Sequence, residues 1–409
     1  MNKITDTAAT GQRPHAARTT LAVLKALRRD KRISRKDLPG LTGLSAGTIT
    51  AVTSDLVARG LIVEQRAAGT GKGRPRTYLE IDAAGPVVVG ARLSERGELQ
   101  TAFVDLTGRE LFTARTPIPV FPTLAQFAQR ICDELDRAIV TSTIVPRTIA
   151  HVGLAVPALV DDRTGVVHQM LTVASDPVPL ADMLAERLNL PVTVENNANC
   201  LVRGEHWFGC AQEHDDFTLF RVGYVLSSAR YAGGMPRTGA HGFTPEIGHA
   251  KTAYGSEAKP CFCGALGCVS AYCSIAGLVM HPEEWHASRL PPLEVVDERF
   301  ARLLDDAEQG HPEALDALKT AGEHLGRIVA DHVNAADPGS IIILVPDERY
   351  RKLTMATFQD NLDALALPAF LRNTRVSFAT TSKDWQWKGM AALALEKAYL
   401  GPARKPEPV

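Results

Sequence analysis

TGLSAGTITAVTSDLVARGLI, residues 42–62, reads as a tight turn, a capped helix and the start of a strand. Gly43 suits the turn between two helices, and Ser45 is the expected N-cap, its side-chain oxygen meeting the free amides of the first turn. Ile49, Val52 and Leu56 share one helical face, and Gly60 closes the helix before the apolar strand Leu61–Val63. Upstream, Leu21, Leu24 and Leu27 recur at helical spacing between Arg18 and Arg29. A short second helix follows, with Ser34 as its expected N-cap, Leu38 and Leu41 inward, and Pro39 limiting its length. Downstream, EQRAAGTGKGRPRTYLEI (64–81) reads as two strands of a wing with a basic, glycine-rich tip. The spacing predicts a winged helix-turn-helix over residues 17–82 behind a flexible polar tail, 1–16.

Charge agrees with that reading. The net charge of the 409 residues is −1, yet residues 1–80 hold 15 Lys and Arg against 6 Asp and Glu, a balance of +9 that leaves −10 for the rest. A basic end on an acidic body points to a module that meets a polyanion. Solvated surface lysines would give the same count, so the pattern within the segment decides, and helices, wing and charge coincide. Double-stranded DNA is the expected partner, with phosphates neutralised by Arg and Lys and base edges read by the third helix. The candidate contacts are Arg35, Ser45, Thr48, Thr50 and Thr53 on the helices and Lys72, Arg74 and Arg76 at the wing tip. Arg74 and Arg76 flank Pro75 in an extended stretch suited to a narrow minor groove. The wing's GTGK is not a nucleotide loop, because Gly73 stands where Ser or Thr would hold magnesium.

From residue 83 the pattern changes. VVVGARLS (87–94), LQTAFVDL (99–106) and ELFTARTPIPV (110–120) are candidate strands, followed by a helix around Leu124 to Ile139. Strands and helices then alternate through HVGLAVPALVD (151–161), PLADMLAERLNL (179–190), PVTVENNAN (191–199) and CLVRGEHWF (200–208). A long amphipathic stretch from Glu313 to Ala335, the strand SIIILVP (340–346), RVSFATTS (375–382) and a helix through Leu400 complete an α/β body with mixed sheets and no long internal repeat. No run approaches the roughly 18–20 apolar residues of a membrane span, and no apolar segment follows the polar N-terminus, so the expected location is the cytoplasm, away from membranes.

Seven cysteines are an odd number, and three cluster in C-F-C-G-A-L-G-C (261–268). His249 with Cys261, Cys263 and Cys268 supplies an imidazole and three thiolates, a closed tetrahedral set for structural Zn2+ with no open position for catalysis. Gly264 and Gly267 suit the left-handed backbone of a tight knuckle over 249–268. Cys132, Cys200, Cys210 and Cys273 are scattered and read as core residues.

GLAVPALVDDRTGVV (153–167), VTVENNANCLVRGEHWFG (192–209), PEIGHAK (245–251), CFCGALGCVSAYCS (261–274) and AGEHLGRIVADHVNAADPGSIII (321–343), behind the winged head, resemble the ROK family of sugar kinases and sugar-responsive repressors. The resemblance implies an actin-like, ribonuclease H-like, two-lobed sugar-kinase body over 83–409, with a sugar cleft between lobes and homodimeric or homotetrameric assembly. It places the family's zinc ligands on His249, Cys261, Cys263 and Cys268, and its sugar-binding residues on Asn196, Glu246 and His249. The catalytic Asp falls on Asn197, whose amide cannot take a proton from a hydroxyl. A second sugar-binding Glu falls on Ser270, and the glycine of a Val-Pro-Gly turn on Ala158. The phosphate loops are also altered. Gly90 to Arg96 lacks the glycines and Asp of the first, Val222 to Arg230 keeps only Gly223 of the second, and Leu344 to Pro346 lacks the adenosine-side glycines. Phosphoryl transfer depends on positioning and electrostatics, so these losses predict a protein that is not an enzyme.

Three functions stay open on sequence alone. The first is a regulator, a repressor on a palindromic operator, whose inactive kinase-like body senses a sugar, a sugar derivative or a related metabolite and so bears on carbohydrate metabolism. The second is a regulator that has lost its sugar response and answers to another ligand or partner. The third is an active ATP-dependent sugar kinase with a regulatory head.

Overall fold

The computed structural model describes residues 12–66, 77–95, 97–119, 121, 123–145, 148–170, 176–285, 291–380 and 385–400. The head comprises α1 (Gln12–Asp30), β1 (Ile33–Ser34), α2 (Leu38–Thr42), α3 (Ala46–Ala58), β2 (Ile62–Arg66) and β3 (Thr77–Ile81). Its sheet runs β1-β3-β2, with β2 and β3 antiparallel as a wing requires. Helix α1 begins at Gln12, upstream of the expected Arg18, because Pro14 falls in the first turn, where an amide has no intrahelical partner. Ser34 is not the cap of α2. That position belongs to Asp37, and the Ser34 hydroxyl donates to the Asp37 carboxylate at 2.7 Å. Leu38 is buried while Leu41 is 43% exposed, since a five-residue helix turns only one of them inward. The expected cap of α3 forms, with Ser45 Oγ accepting from the Thr48 amide at 3.1 Å.

The body holds two five-stranded sheets. The first is built from β4 (Val87–Leu93), β5 (Glu98–Val104), β6 (Glu110–Pro117), β7 (Ile149–Val156) and β10 (Val192–Asn196), with α4 (Leu124–Ser142) before β7, and a separate two-stranded hairpin, β8 (Ala158–Asp161) and β9 (Val166–Met170), and then α5 (Leu180–Leu188) between β7 and β10. Helix α6 (Asn197–Phe208) leads to the second sheet, which begins with β11 (Asp216–Val222), β12 (Leu226–Ala232) and β13 (Met235–Arg237). After α7 (Ser270–Cys273), α8 (Ile275–Val279), α9 (Leu293–Glu308) and α10 (Pro312–Ala336) come β14 (Ser340–Val345), α11 (Glu348–Leu365), α12 (Pro368–Leu371), β15 (Arg375–Thr380) and α13 (Trp385–Leu400).

The sheet orders are β6-β5-β4-β7-β10 and β13-β12-β11-β14-β15. Each is an antiparallel meander of three strands whose first strand pairs in parallel with a fourth, which pairs in parallel with a fifth. The body is thus a topological duplication that the sequence, read as free of long repeats, does not display.

The layers follow from which faces are apolar. Helices α4 and α5 cover the outer face of the first sheet through residues such as Phe127, Ile131, Leu135 and Leu184. Helices α9, α10 and α11 cover the outer face of the second through Leu304, Leu325, Val329 and Phe358. Between the sheets lie α13, on β4 and β7, and α6, whose Leu201 and Val202 pack on Phe217, Leu219 and Tyr231. The two inner helices meet backbone to backbone at Gly204 and Gly389. A Cβ on Gly389 would stand 2.0 Å from the Cys200 carbonyl oxygen, and one on Gly204 would stand 2.8 Å from Gly389 Cα. Arg203 of α6 is buried between Glu195 and Glu396 of α13, donating to both, and Trp207 Nε1 donates to Glu396 at 2.6 Å.

The head is not a separate bead. Val23, Leu24, Leu27, Leu38, Ile49, Leu56 and Leu79 share one apolar cluster with Val88 and Val104 of the first sheet, Leu106 in the turn after β5, and Ala391, Leu395 and Tyr399 of α13. Arg28 of α1 lies over the rings of Trp207 and Phe208, 5.0 and 4.6 Å from their centres, and donates to the Thr107 carbonyl. The Tyr399 hydroxyl donates to the Leu106 carbonyl at 2.7 Å, and Arg59 at the end of α3 donates to the Ala398 carbonyl at 3.0 Å. Replacing Gly389 by Ala is expected to destabilise the protein by about 1–3 kcal/mol through overpacking, read as a lower urea midpoint at unchanged slope.

Candidate functional site

The carboxyl ends of the parallel strands β4, β7 and β10 open onto a cavity of about 380 Å³ between the two sheets. That is where an α/β sheet offers backbone groups and helix N-termini to a ligand. Ala158, Gln169, Asn196, Asn197, Thr244, Glu246 and His249 line it, joined by Arg92, Glu95 and Arg221. The four sequence-derived ligand residues therefore meet around one space.

Their side chains are differently committed. Asn196 caps α6, its Oδ1 accepting from the Ala198 amide at 2.7 Å while its Nδ2 donates to the Ala158 carbonyl at 2.8 Å. It holds the cavity wall and keeps one N–H and one lone pair in reserve. Asn197 donates to the Leu93 carbonyl at 3.1 Å, and its buried Oδ1 has no partner. Glu246 precedes the short 3-10 turn Ile247–His249, makes no cap bond and lines the cavity, where desolvation by the surrounding protein raises its pKa. Ser270 does not line the cavity. It is buried, with its Oγ accepting from the Leu226 amide at 3.0 Å.

His249 also belongs to a second cluster. Its ligand nitrogen and the thiol sulfurs of Cys261, Cys263 and Cys268 lie within 4.8 Å of one another, with His249 Nδ1 3.7 Å from Cys261 Sγ and Cys263 Sγ 3.6 Å from Cys268 Sγ. Positive φ at Gly264 and Gly267 folds the knuckle, and Cys261 N donates to the Ala265 carbonyl at 2.8 Å. Lys251 Nζ stands 2.7 Å from Cys268 Sγ, an ammonium placed to balance thiolate charge. Burial, then the Lys251 charge, lowers the His249 pKa and favours the neutral imidazole that ligates metals. The donor set and its compactness fit a metal. Because His249, Phe262 and Cys263 line the cavity as well, the knuckle forms part of its wall. Among the other cysteines, Cys132, Cys200 and Cys273 are buried as expected. Cys210 is exposed instead, because it follows the end of α6, where its thiol donates to Glu205 at 3.2 Å.

In the head, Ser45 and Thr50 are exposed on α3 and Thr48 is partly so. Thr53 is a correction. It is fully buried, its hydroxyl donating to the Ile49 carbonyl at 2.7 Å, because it lies one helical turn from Ile49 on the inward face. Ser54 is exposed beside Thr50 in its place. Arg35 reaches Glu64 at 2.7 Å across the base of the wing. Lys72, Arg74 and Arg76 lie outside the described residues.

Reading the sequence by motif missed Arg92, Glu95, Arg221 and Thr244. The available signal was a charged residue inside an otherwise apolar strand, Arg92 in VVVGARLS, which is only 4% exposed.

The ROK family pattern matches residues 98–397, and a winged helix-turn-helix DNA-binding pattern matches residues 17–63. The chain belongs to the ROK family. Among its ROK relatives, the xylose repressor of Caldicellulosiruptor bescii is 26% identical over 79% of this chain and 82% of its own length. The DNA-binding transcriptional dual regulator NagC of Escherichia coli is 26% identical over 84% of each chain. The crystal structure of a ROK family transcriptional regulator, a homologue of the E. coli MLC protein, superposes with a TM-score of 0.76, covering 94% of this chain and 98% of that one at 23% identity. The winged head on an actin-like sugar-kinase body is therefore a fold this ROK chain shares with solved ROK proteins.

Proposed function

We propose that this ROK protein is a DNA-binding transcriptional repressor whose kinase-like body, residues 83–409, reports the presence of a sugar to the winged head, residues 17–82. The carrying observation is a continuous path. The N-terminus of α6 lines the cavity at Asn197, and its C-terminal Trp207 and Phe208 hold Arg28 of the head. At about 1.5 Å per residue, its 12 residues span about 18 Å as a single rod. A ligand that favours one angle between the lobes biases α6 and α13 and through them the placement of the head, to the extent that it binds the two forms differently. Asn196, Asn197, Glu246 and His249 supply the hydroxyl contacts, and α3 with Ser45, Thr48 and Thr50 enters the major groove. Arg35 and the wing residues Lys72, Arg74 and Arg76 neutralise phosphate. Two or four copies pair their heads on a palindromic operator.

Binding of genomic fragments to the full protein, repeated with a sugar panel, tests this reading. It stands if a defined site is bound and one sugar changes the affinity, and it falls if no site is recovered. Arg74→Ala is expected to weaken operator binding and lower the slope of log affinity against log salt by about 1, with unchanged melting. An unaltered slope removes the wing from the interface.

The His249, Cys261, Cys263 and Cys268 set holds structural zinc in this reading, since three thiolates and one imidazole close a tetrahedron. Cys263→Ser is expected to lose bound zinc, measured by mass spectrometry, and to lower the melting temperature; retention of both excludes the site. The same body is catalytically silent. Asn197 bonds the Leu93 carbonyl and offers no base, and because Asn197→Asp restores a base but none of the phosphate-loop glycines, that variant is expected to show no sugar-dependent ADP release. Turnover by that variant would reinstate the kinase reading.

A further inference from the structure

Helix α3 turns one face outward, and the side chains on it are short. Ala46, Gly47, Thr50, Ala51 and Ser54 are exposed and share one side of the helix, opposite the buried Ile49, Thr53 and Leu56. None carries an amide, a carboxylate or a cationic group, the chemistry that reads guanine, adenine and cytosine edges. Asp55, exposed beside them, is already engaged. Arg59 Nη1 donates to it at 3.2 Å, while Arg59 Nη2 holds the Ala398 carbonyl of α13.

The hydroxyls near the start of α3 are turned back onto the helix. Thr50 Oγ1 donates to the Ala46 carbonyl at 2.9 Å, so the surface that Thr50 offers outward is its methyl group. Ser45 Oγ and Thr48 Oγ1 hold each other at 2.9 Å, while the Ser45 oxygen caps the Thr48 amide. The face therefore presents the methyl groups of Ala46, Thr50 and Ala51 around a glycine, with the Ser54 hydroxyl at its far end. Gly47 is a separate observation. Its φ is not positive, and a Cβ placed on it would meet only Ser45 Oγ, at an ordinary 3.8 Å. Neither backbone conformation nor packing within the chain calls for glycine there, although glycine costs a helix stability relative to alanine. Bare backbone at that position suits a close approach from outside the chain.

We propose that α3 reads its operator by apolar contact with thymine 5-methyl groups. Thr50 and Ala51 are the specificity-determining residues, and Gly47 lets the helix sit close against the base edges. The thymine methyl is the apolar feature of the major groove, and small apolar side chains match it where hydrogen-bonding side chains do not. The proposal rests on the DNA-binding reading above.

Selection of bound duplexes from a random-sequence library by the full-length protein supplies the probe, one duplex carrying the preferred site. Each thymine in it is then replaced by deoxyuridine, which pairs in the same way and lacks only the 5-methyl group. Affinity is expected to fall about fourfold at each contacted thymine, the contribution of one buried methyl. Thr50→Val, which keeps a methyl on that face, is expected to bind about fourfold tighter than Thr50→Ser, which keeps only the hydroxyl. Of the two, only Thr50→Val is expected to retain the preference for thymine over deoxyuridine at the base it meets. Gly47→Ala is expected to weaken binding at least about tenfold by crowding the groove, with an unchanged or raised melting temperature. Deoxyuridine tolerated at every position overturns the methyl readout. Thr50→Ser binding tighter than Thr50→Val also overturns it, by assigning the contact to the hydroxyl. Full affinity of Gly47→Ala overturns the close approach. If no duplex is enriched, the DNA-binding reading falls instead.

Discussion

Backbone contact between α6 and α13 at Gly204 and Gly389 is the constraint on which the rest of the molecule depends. It lets two helices share the narrow layer between the sheets, so that each sheet can be packed on both faces. The ion cluster of Arg203 with Glu195 and Glu396 lies beside this contact and is almost wholly buried. Such a cluster adds little net stability against an apolar alternative, yet removing one member leaves buried charge unpaired at a cost of about 3–5 kcal/mol. It therefore fixes the register of α6 on α13 more than it strengthens their association.

That register joins the cavity at one end of α6 to the winged head at the other. Asn196 caps α6 beside the cavity, while Trp207 at its far end grips both Arg28 and Glu396. Helix α13 continues into the cluster that holds the head, ending in the Tyr399 bond to Leu106. Both inner helices pack against the sheets they lie between. The Glu95 bond to Arg221 ties the sheets directly, at the wall of the same cavity.

Much of this was legible in the residues. Ser45, Gly43 and the Ile49–Leu56 spacing gave the third helix, and the cysteine knuckle with His249 gave a compact donor set, since caps, turns and short loops are local. Asn196, Asn197, Glu246 and His249 do share a cavity, although Asn196 serves largely to hold its wall. Thr53 lies one helical turn from Ile49, so the phase of α3 turns it inward and away from a groove.

By itself the sequence determined the kinds of element, the winged head, the family and the compact set of one imidazole and three thiols, because these rest on contacts over a few residues or on a motif of fixed spacing. Only the tertiary structure decided that the two sheets repeat one topology, that the head shares its core with α13, and that Arg92, Glu95 and Arg221 meet. Glu95 and Arg221 stand 126 positions apart. Periodicity states which face of an element is apolar, but the partner that covers it, and the charges brought together at its edge, are set by packing across the whole chain.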